Sequence, residues 1–204
     1  MAKKVLELNV DFKEQSKLGD NGSFSLQPLE RGYGTTIGNA MRRVLLTSIP
    51  GAAITHVKID GVQHEFSTIE GVKEDVADII MNLKKVRFKL MDNAPDKVSL
   101  SIKGKKSFTA QDIQNASDQF EVLNPEEYIT EVNSKGKLDI ELRIGIGKGY
   151  VPSEANDIPN LPVGTLSIDS IFNPVTNVTF NIQPVPGAKD PIEILSIDVT
   201  TDGS

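Results

Sequence analysis

The chain has no cysteine and no tryptophan, and its 204 residues include only two histidines, His56 and His64. Without Cys there is no disulfide, no thiolate nucleophile and no Cys-based zinc site. Two His leave little material for a His-rich metal centre, so no metal is expected. Aromatic residues are 5% of the chain, too few for a platform on which single-stranded nucleic acid stacks. Lys and Arg do not cluster at domain scale, and counterion release on nucleic acid needs such clusters, so no direct nucleic-acid binding is expected. No run approaches the ~20 apolar residues that span a bilayer. The N-terminus, Met1-Ala2-Lys3-Lys4-Val5-Leu6-Glu7, turns charged before an apolar signal core can form. The expectation is a cytoplasmic protein with no membrane partner.

What remains is an ordinary globular composition, 38% hydrophobic and 25% charged, long enough for one large domain or two small ones. The net charge is −6. It lies entirely between Tyr150 and Ser204, where seven acids face a single base, Lys189. That acidic end is either a solvated surface or a dock for a basic partner.

Period-2 alternation dominates the chain. Leu6, Leu8, Val10 and Phe12 alternate with polar residues, Gly19-Asp20-Asn21-Gly22 makes a turn, and Phe24, Leu26 and Pro28 alternate again, which predicts a hairpin over 5–29. Further strands are expected at 53–60, 138–144, 166–168, 178–182 and 193–199. Val86-Phe88-Leu90 and Val98-Leu100-Ile102 predict a second hairpin across Asn93–Asp96. Two segments read as helices. Ile37, Met41, Val44 and Leu45 share one face of the first, which Pro50-Gly51 ends. Val72, Val76, Ile79, Ile80 and Leu83 share a face of the second, with Ser67–Glu70 as a capping box ahead of it. Residues 109–135 and 151–163 read as irregular. Few helices among many alternating strands predict an α+β fold with antiparallel sheets.

The densest segment is Leu29-Glu30-Arg31-Gly32-Tyr33-Gly34-Thr35-Thr36-Ile37-Gly38. A strand, a Gly-rich turn and a helix raise the alternative of a nucleotide- or phosphate-binding enzyme that uses the Gly32–Gly38 turn. Against it, the G-x-G-x-x-x-G spacing is one residue longer than the dinucleotide fingerprint, and the following strands alternate rather than being uniformly apolar. At ~100° per residue, Leu46 falls between Arg42 and Arg43, opposite Ile37, Met41 and Val44. Two guanidiniums flanking a large apolar side chain on an outward face fit a protein–protein anchor or a solvated edge equally well. The carboxylates form no catalytic pair: Glu70, Glu74 and Asp75 sit where anions favour a helix N-terminus. His64, Glu65 and Ser67 are too close in one extended segment to form a triad. Gly145–Tyr150 lacks the ending of a phosphate cradle and reads as a bent loop. No catalytic, cofactor-binding or metal-ligating residue is expected.

Leu29–Gly34 followed by Gly38-Asn39-Ala40-Met41-Arg42-Arg43-Val44-Leu45-Leu46 resembles the signature of the bacterial DNA-directed RNA polymerase alpha subunit, N-terminal domain. Pro50–Thr55, Ile59–Val62, His64–Thr68, Glu70–Val72, Glu74-Asp75, Asn82–Lys84, Gly147–Pro152 and Asp169–Pro174 continue the resemblance in order. It implies two parts: a dimerisation α/β subdomain over 1–50 and 175–204, and an inserted, mainly antiparallel β-rich subdomain over 51–174. It also implies an assembly scaffold for DNA-templated transcription that is not an enzyme by itself, dimerises, and docks the beta and beta-prime subunits, with no cofactor.

Carried over residue by residue, beta docking falls on Arg42, Arg43, Leu46, His64, Glu65, Ser67 and Glu70. Beta-prime docking falls on Asp78, Lys84, Ile168 and Asn173, and dimerisation on Ile37, Met41, Val44 and Leu45. The family continues past Thr200-Thr201-Asp202-Gly203-Ser204 into a long helix that packs against the partner copy, then a linker and a DNA-binding domain. The resemblance therefore implies a shortened form whose self-association is weak or impaired.

Overall fold

The computed structural model describes residues 11–18, 20–90, 97–104, 106–156, 158, 161–187 and 191–204. The expected strand positions Leu6, Leu8 and Val10, Gly19 of the first turn and the Asn93–Asp96 turn lie outside them. In chain order the elements are β1 Asp11–Leu18, β2 Asn21–Glu30, α1 Tyr33–Thr47, β3 Pro50–Ile59, α2 Val76–Leu83, β4 Phe88–Leu90, β5 Lys97–Lys103 and β6 Lys106–Thr109. There follow α3 Ala110–Gln114, β7 Phe120–Val122, β8 Tyr128–Val132, β9 Lys137–Lys148, β10 Tyr150–Val151, β11 Thr165–Ser167, β12 Ser170–Ile171, β13 Val175–Pro184 and β14 Ile192–Thr201. Every strand pairing among the described residues is antiparallel, so the fold is α+β. The chain divides into two compact units, Met1–Ile49 with Val175–Asp202, and Pro50–Pro174 with Gly203–Ser204.

The first unit is a four-stranded sheet in the order β1-β2-β14-β13. Leu18 pairs with Asn21, so β1 and β2 form a hairpin closed by two residues. Helix α1 packs on β13, β14 and β2. Its start is set by Gly32, whose φ of 91° is open to glycine and strained for other residues. Leu29, Val175, Val178, Leu195 and Ile197 are buried in the core, with Ile37, Met41, Leu45, Leu46 and Phe180 packed half-buried against it. The helix reaches the sheet through Gly34 and Gly38, its two buried residues. A Cβ on Gly38 would lie 2.7 Å from the Phe180 ring.

The second unit is built on a sheet in the order β5-β9-β3-β4-β7, with β11 also pairing with β3. The alternation of β9 is clean: Leu138, Ile140, Leu142 and Ile144 are buried and the residues between them are not. They share one core with Val76, Ile79 and Leu83 of α2, Ile113 of α3, and Phe88, Phe108 and Phe120. Phe88 and Phe120 meet edge to face at 5.3 Å.

Four expectations need correction in the second unit. Helix α2 starts at Val76, not Val72, and its cap is Asp75, whose carboxylate accepts from Asp78 N–H at 2.8 Å. Gly71 sits at φ 79° where the expected first turn would run, and Val72 bridges to Val132 of β8 instead. Strands β4 and β5 do not form a hairpin; β9 and β3 lie between them. A local turn signal lost to the better-matched apolar row that β9 offers β5. Residues 109–135 hold α3, β7 and β8 rather than an irregular stretch. Gly145 and Gly147 continue β9, because the Phe172 ring lies over Gly147 where a Cβ would approach it to 2.5 Å.

Candidate functional site

The Gly-rich turn before α1 is already occupied by the chain's own anion. Gly32 N–H donates to Glu193 Oε1 at 3.0 Å and Gly34 N–H donates to Oε2 at 3.2 Å. A helix N-terminus attracts negative charge through its free N–H groups and dipole. Here the β14 carboxylate satisfies them, and a Cβ on Gly34 would come within 2.9 Å of Glu193. The alternative of a nucleotide- or phosphate-binding enzyme on this turn finds no support: Glu193 already takes the N–H groups of Gly32 and Gly34.

The outward face of α1 differs from the expectation in one respect. Arg42 and Arg43 are exposed, and among the described residues neither guanidinium has an ion pair. The apolar residue beside them is Val44, 54% exposed, while Leu46 is half-buried against the core. The reason is the glycine pair. Gly34 and Gly38 centre the buried face, which rotates it away from the side that Ile37, Met41 and Val44 define. Met41, Leu45 and Ile37 keep half-buried positions, and Val44 turns outward.

In the second unit, His64, Glu65 and Glu70 are exposed and Ser67 is half-buried, on a run of turns between β3 and α2. Ser67 Oγ lies 3.1 Å from His64 Nδ1, and Ser67 C=O accepts from Val76 N–H at 3.1 Å. These bonds hold the segment on the first turn of α2 and present Phe66, 82% exposed. Reading by residue chemistry missed Phe66, although an aromatic inside an otherwise polar turn was visible in the sequence.

Asp78 is exposed on the first turn of α2, and Lys84 ends the same helix. Lys84 Nζ meets Asp169 Oδ2 at 2.9 Å, and Ser153 N–H donates to Asp169 Oδ1 at 2.9 Å. The Lys84 ammonium, then the Ser153 N–H, hold the Asp169 carboxyl below its ordinary range despite partial burial. Lys84, Asp169, Glu65 and Thr165 border a groove of about 380 Å³. Ile168 borders it too, but its side chain is 3% exposed and belongs to the core. Asn173 is half-buried.

A second polar cluster ties the segment just before α2 to β8. Glu74 accepts from Tyr128 Oη at 2.8 Å, Thr130 Oγ1 at 2.7 Å and Glu131 N–H at 3.1 Å. Burial pushes the Glu74 carboxyl up, but these donors and the nearby Lys73 outweigh it and leave it lowered. The same contact, after burial, raises the Tyr128 phenol to about 12.

Residues 57–173 match the family model described as the RNA polymerase Rpb3/RpoA insert domain. The chain belongs to the RNA polymerase alpha subunit family. It is 54% identical over 196 residues to the DNA-directed RNA polymerase subunit alpha of Prosthecochloris aestuarii, covering 96% of this chain and 60% of that protein. It is 50% identical to the subunit alpha of Chloroherpeton thalassium, covering 97% and 60%, and 52% identical to that of Salinibacter ruber, covering 90% and 56%. The chain thus spans about 60% of the length of these relatives. The alpha-family insert coincides with the β-rich second unit, and the Gly-rich turn and Arg42-Arg43 lie outside the matched stretch, in the first unit. No helix among the described residues is long and apolar enough to cross a membrane.

Proposed function

We propose that this chain is the assembly scaffold of a bacterial RNA polymerase, a non-catalytic, cytoplasmic part that pairs with a second copy and docks the beta and beta-prime subunits. The observation that carries the beta-docking reading is the exposed face of α1. Two guanidiniums there have no partner among the described residues, and Val44, next to Arg43 in the sequence, is exposed. Arg is weakly hydrated, offers rigid donors and is enriched at binding hot spots, so an unpartnered pair beside apolar surface suits a protein partner. His64, Glu65, Ser67 and Glu70, with Phe66 among them, make the second beta-facing stretch. Asp78, Lys84 and Asn173 are the beta-prime positions.

Self-association is supported by the first unit's thin cover. Ile37, Met41 and Leu45 stay half-buried and Val44 exposed on one helix. Because most of that stripe is already in contact with its own sheet, light scattering should report a concentration-dependent monomer–dimer mixture rather than a tight dimer. The docking reading is tested by mixing the chain with the beta subunit of a related polymerase on gel filtration. Co-elution is expected; separate peaks for both proteins refute it.

A further inference from the structure

The second unit carries a basic row that none of the roles above uses. Arg143 of β9 pairs in register with Lys97 of β5 on one side and His56 of β3 on the other. Residues directly opposite on antiparallel strands share a face, and the like charges of Lys97 and Arg143 so placed are destabilising. This face is the one away from the core, since Leu142 and Ile144 on either side of Arg143 are buried. Two of the three have their needs met. Lys97 Nζ meets Glu141 Oε2 at 2.8 Å. His56 is buried, its Nε2–H donates to the Asn156 carbonyl at 2.9 Å, and its Nδ1 lies 2.8 Å from Thr55 Oγ1. Arg143 differs: its Nε is buried and has no hydrogen-bond partner. Among the described residues no carboxylate pairs with its guanidinium.

A buried donor without an acceptor is destabilising, and a guanidinium cannot shed its proton to escape. Relief has to come from an acceptor. Space for one exists: Arg143, Lys97, His56, Thr55, Asn156 and Ile158 line a groove of about 550 Å³, within the roughly 300–1,000 Å³ of small-ligand sites. The half-exposed Ile158 gives it an apolar wall.

We propose that this groove binds a small organic oxyanion, a phosphate or carboxylate carrying an apolar body. Arg143 is the main donor, Lys97 supplies supporting charge, and Ile158 covers the apolar part. The planar guanidinium fork matches two oxygens of either group. His56, with both nitrogens engaged, shapes the floor and donates nothing to the ligand.

Phenyl phosphate, benzoate and inorganic phosphate titrated into the 204-residue chain, followed by amide shifts in ¹⁵N NMR, test this. Saturable shifts at Gly145 and Asn156 are expected with phenyl phosphate, weaker ones with inorganic phosphate. Benzoate in place of phenyl phosphate reads whether phosphate or carboxylate is preferred, and binding of either supports the site. Arg143→Gln should weaken binding by about tenfold or more and the exposed Lys97→Gln by a few-fold. Since Lys97→Gln sits on the surface, it keeps the test valid if Arg143→Gln folds poorly. The proposal is overturned if none of the three probes gives saturable shifts, or if both variants bind as the unaltered chain does. Equal affinity for phenyl and inorganic phosphate removes the apolar body from it. Binding that emerges only after Asp96→Asn with Asp157→Asn, the acids next in sequence to Lys97 and Asn156, also overturns it, because the chain would then supply its own carboxylate.

Discussion

Gly38 faces the Phe180 ring so closely that a methyl group has to displace it. In Gly38→Ala the helix gains about 1 kcal/mol of propensity, while crowding costs about 1–3 kcal/mol. A net loss of about 1 kcal/mol is expected in urea unfolding; a stabilised variant would show that the ring moves freely. Charge at single residues sets two pH windows. The folded Asp169 carboxyl sits below its ordinary value because of Lys84 and Ser153. Its contribution is therefore present above the ordinary carboxylate range and lost as pH falls through the lowered value. Both partners are partly exposed, so Lys84→Met should remove only about 0.5–1 kcal/mol at pH 7 and less in acid. Tyr128 runs the other way. Its phenol stays protonated to about 12, whereas an unfolded Tyr ionises near ~10. The proton-linked stability is whole below that value and drains away as pH rises through about 12. The gap between the unaltered chain and Tyr128→Phe should narrow between pH 8 and the alkaline limit; a constant gap would mean that Glu74 does not hold the phenol.

At the scale of elements, α1 depends on a carboxylate of β14, a strand remote in sequence that pairs with β2. Glu193→Ala leaves the Gly32 and Gly34 N–H groups to water and should cost about 1 kcal/mol, the ordinary value of a lost helix cap. Glu193→Gln, which keeps one acceptor, should lose less. This cap also shows what local reading misses: the Gly-rich turn is legible from Gly32 and Gly34, but the anion it holds is about 160 positions away in the chain. The same limit explains Leu46. The spacing of apolar side chains leaves glycine out, so it points to Ile37, Met41 and Val44 as the buried face of α1, whereas Gly34 and Gly38 are its buried residues. Helix α2 was legible from its apolar spacing. Its start was not, because Ser67–Glu70 mimics a capping box while Asp75 does the capping. The pairing of β5 with β9 rather than β4 is long-range, and period-2 alternation does not name a strand's partner.

For the whole molecule, the α+β class followed from alternation and scarce helices, and the order of motifs carried the family. The residues proposed for docking were legible as residue types; their burial was not, and Ile168 shows why. An isoleucine in a loop after β11 looks available until Ser170 Oγ, 2.8 Å from the Ile54 carbonyl, is seen to tie that loop onto β3. The central claim is that the exposed Arg42-Arg43 pair grips another subunit. The direct measurement is the affinity of Arg43→Ala for the beta subunit, set beside its thermal unfolding. The account predicts unchanged folding and binding weaker by about 2–4 kcal/mol, the size of a hot-spot truncation; unchanged beta recovery by a folded variant would contradict it.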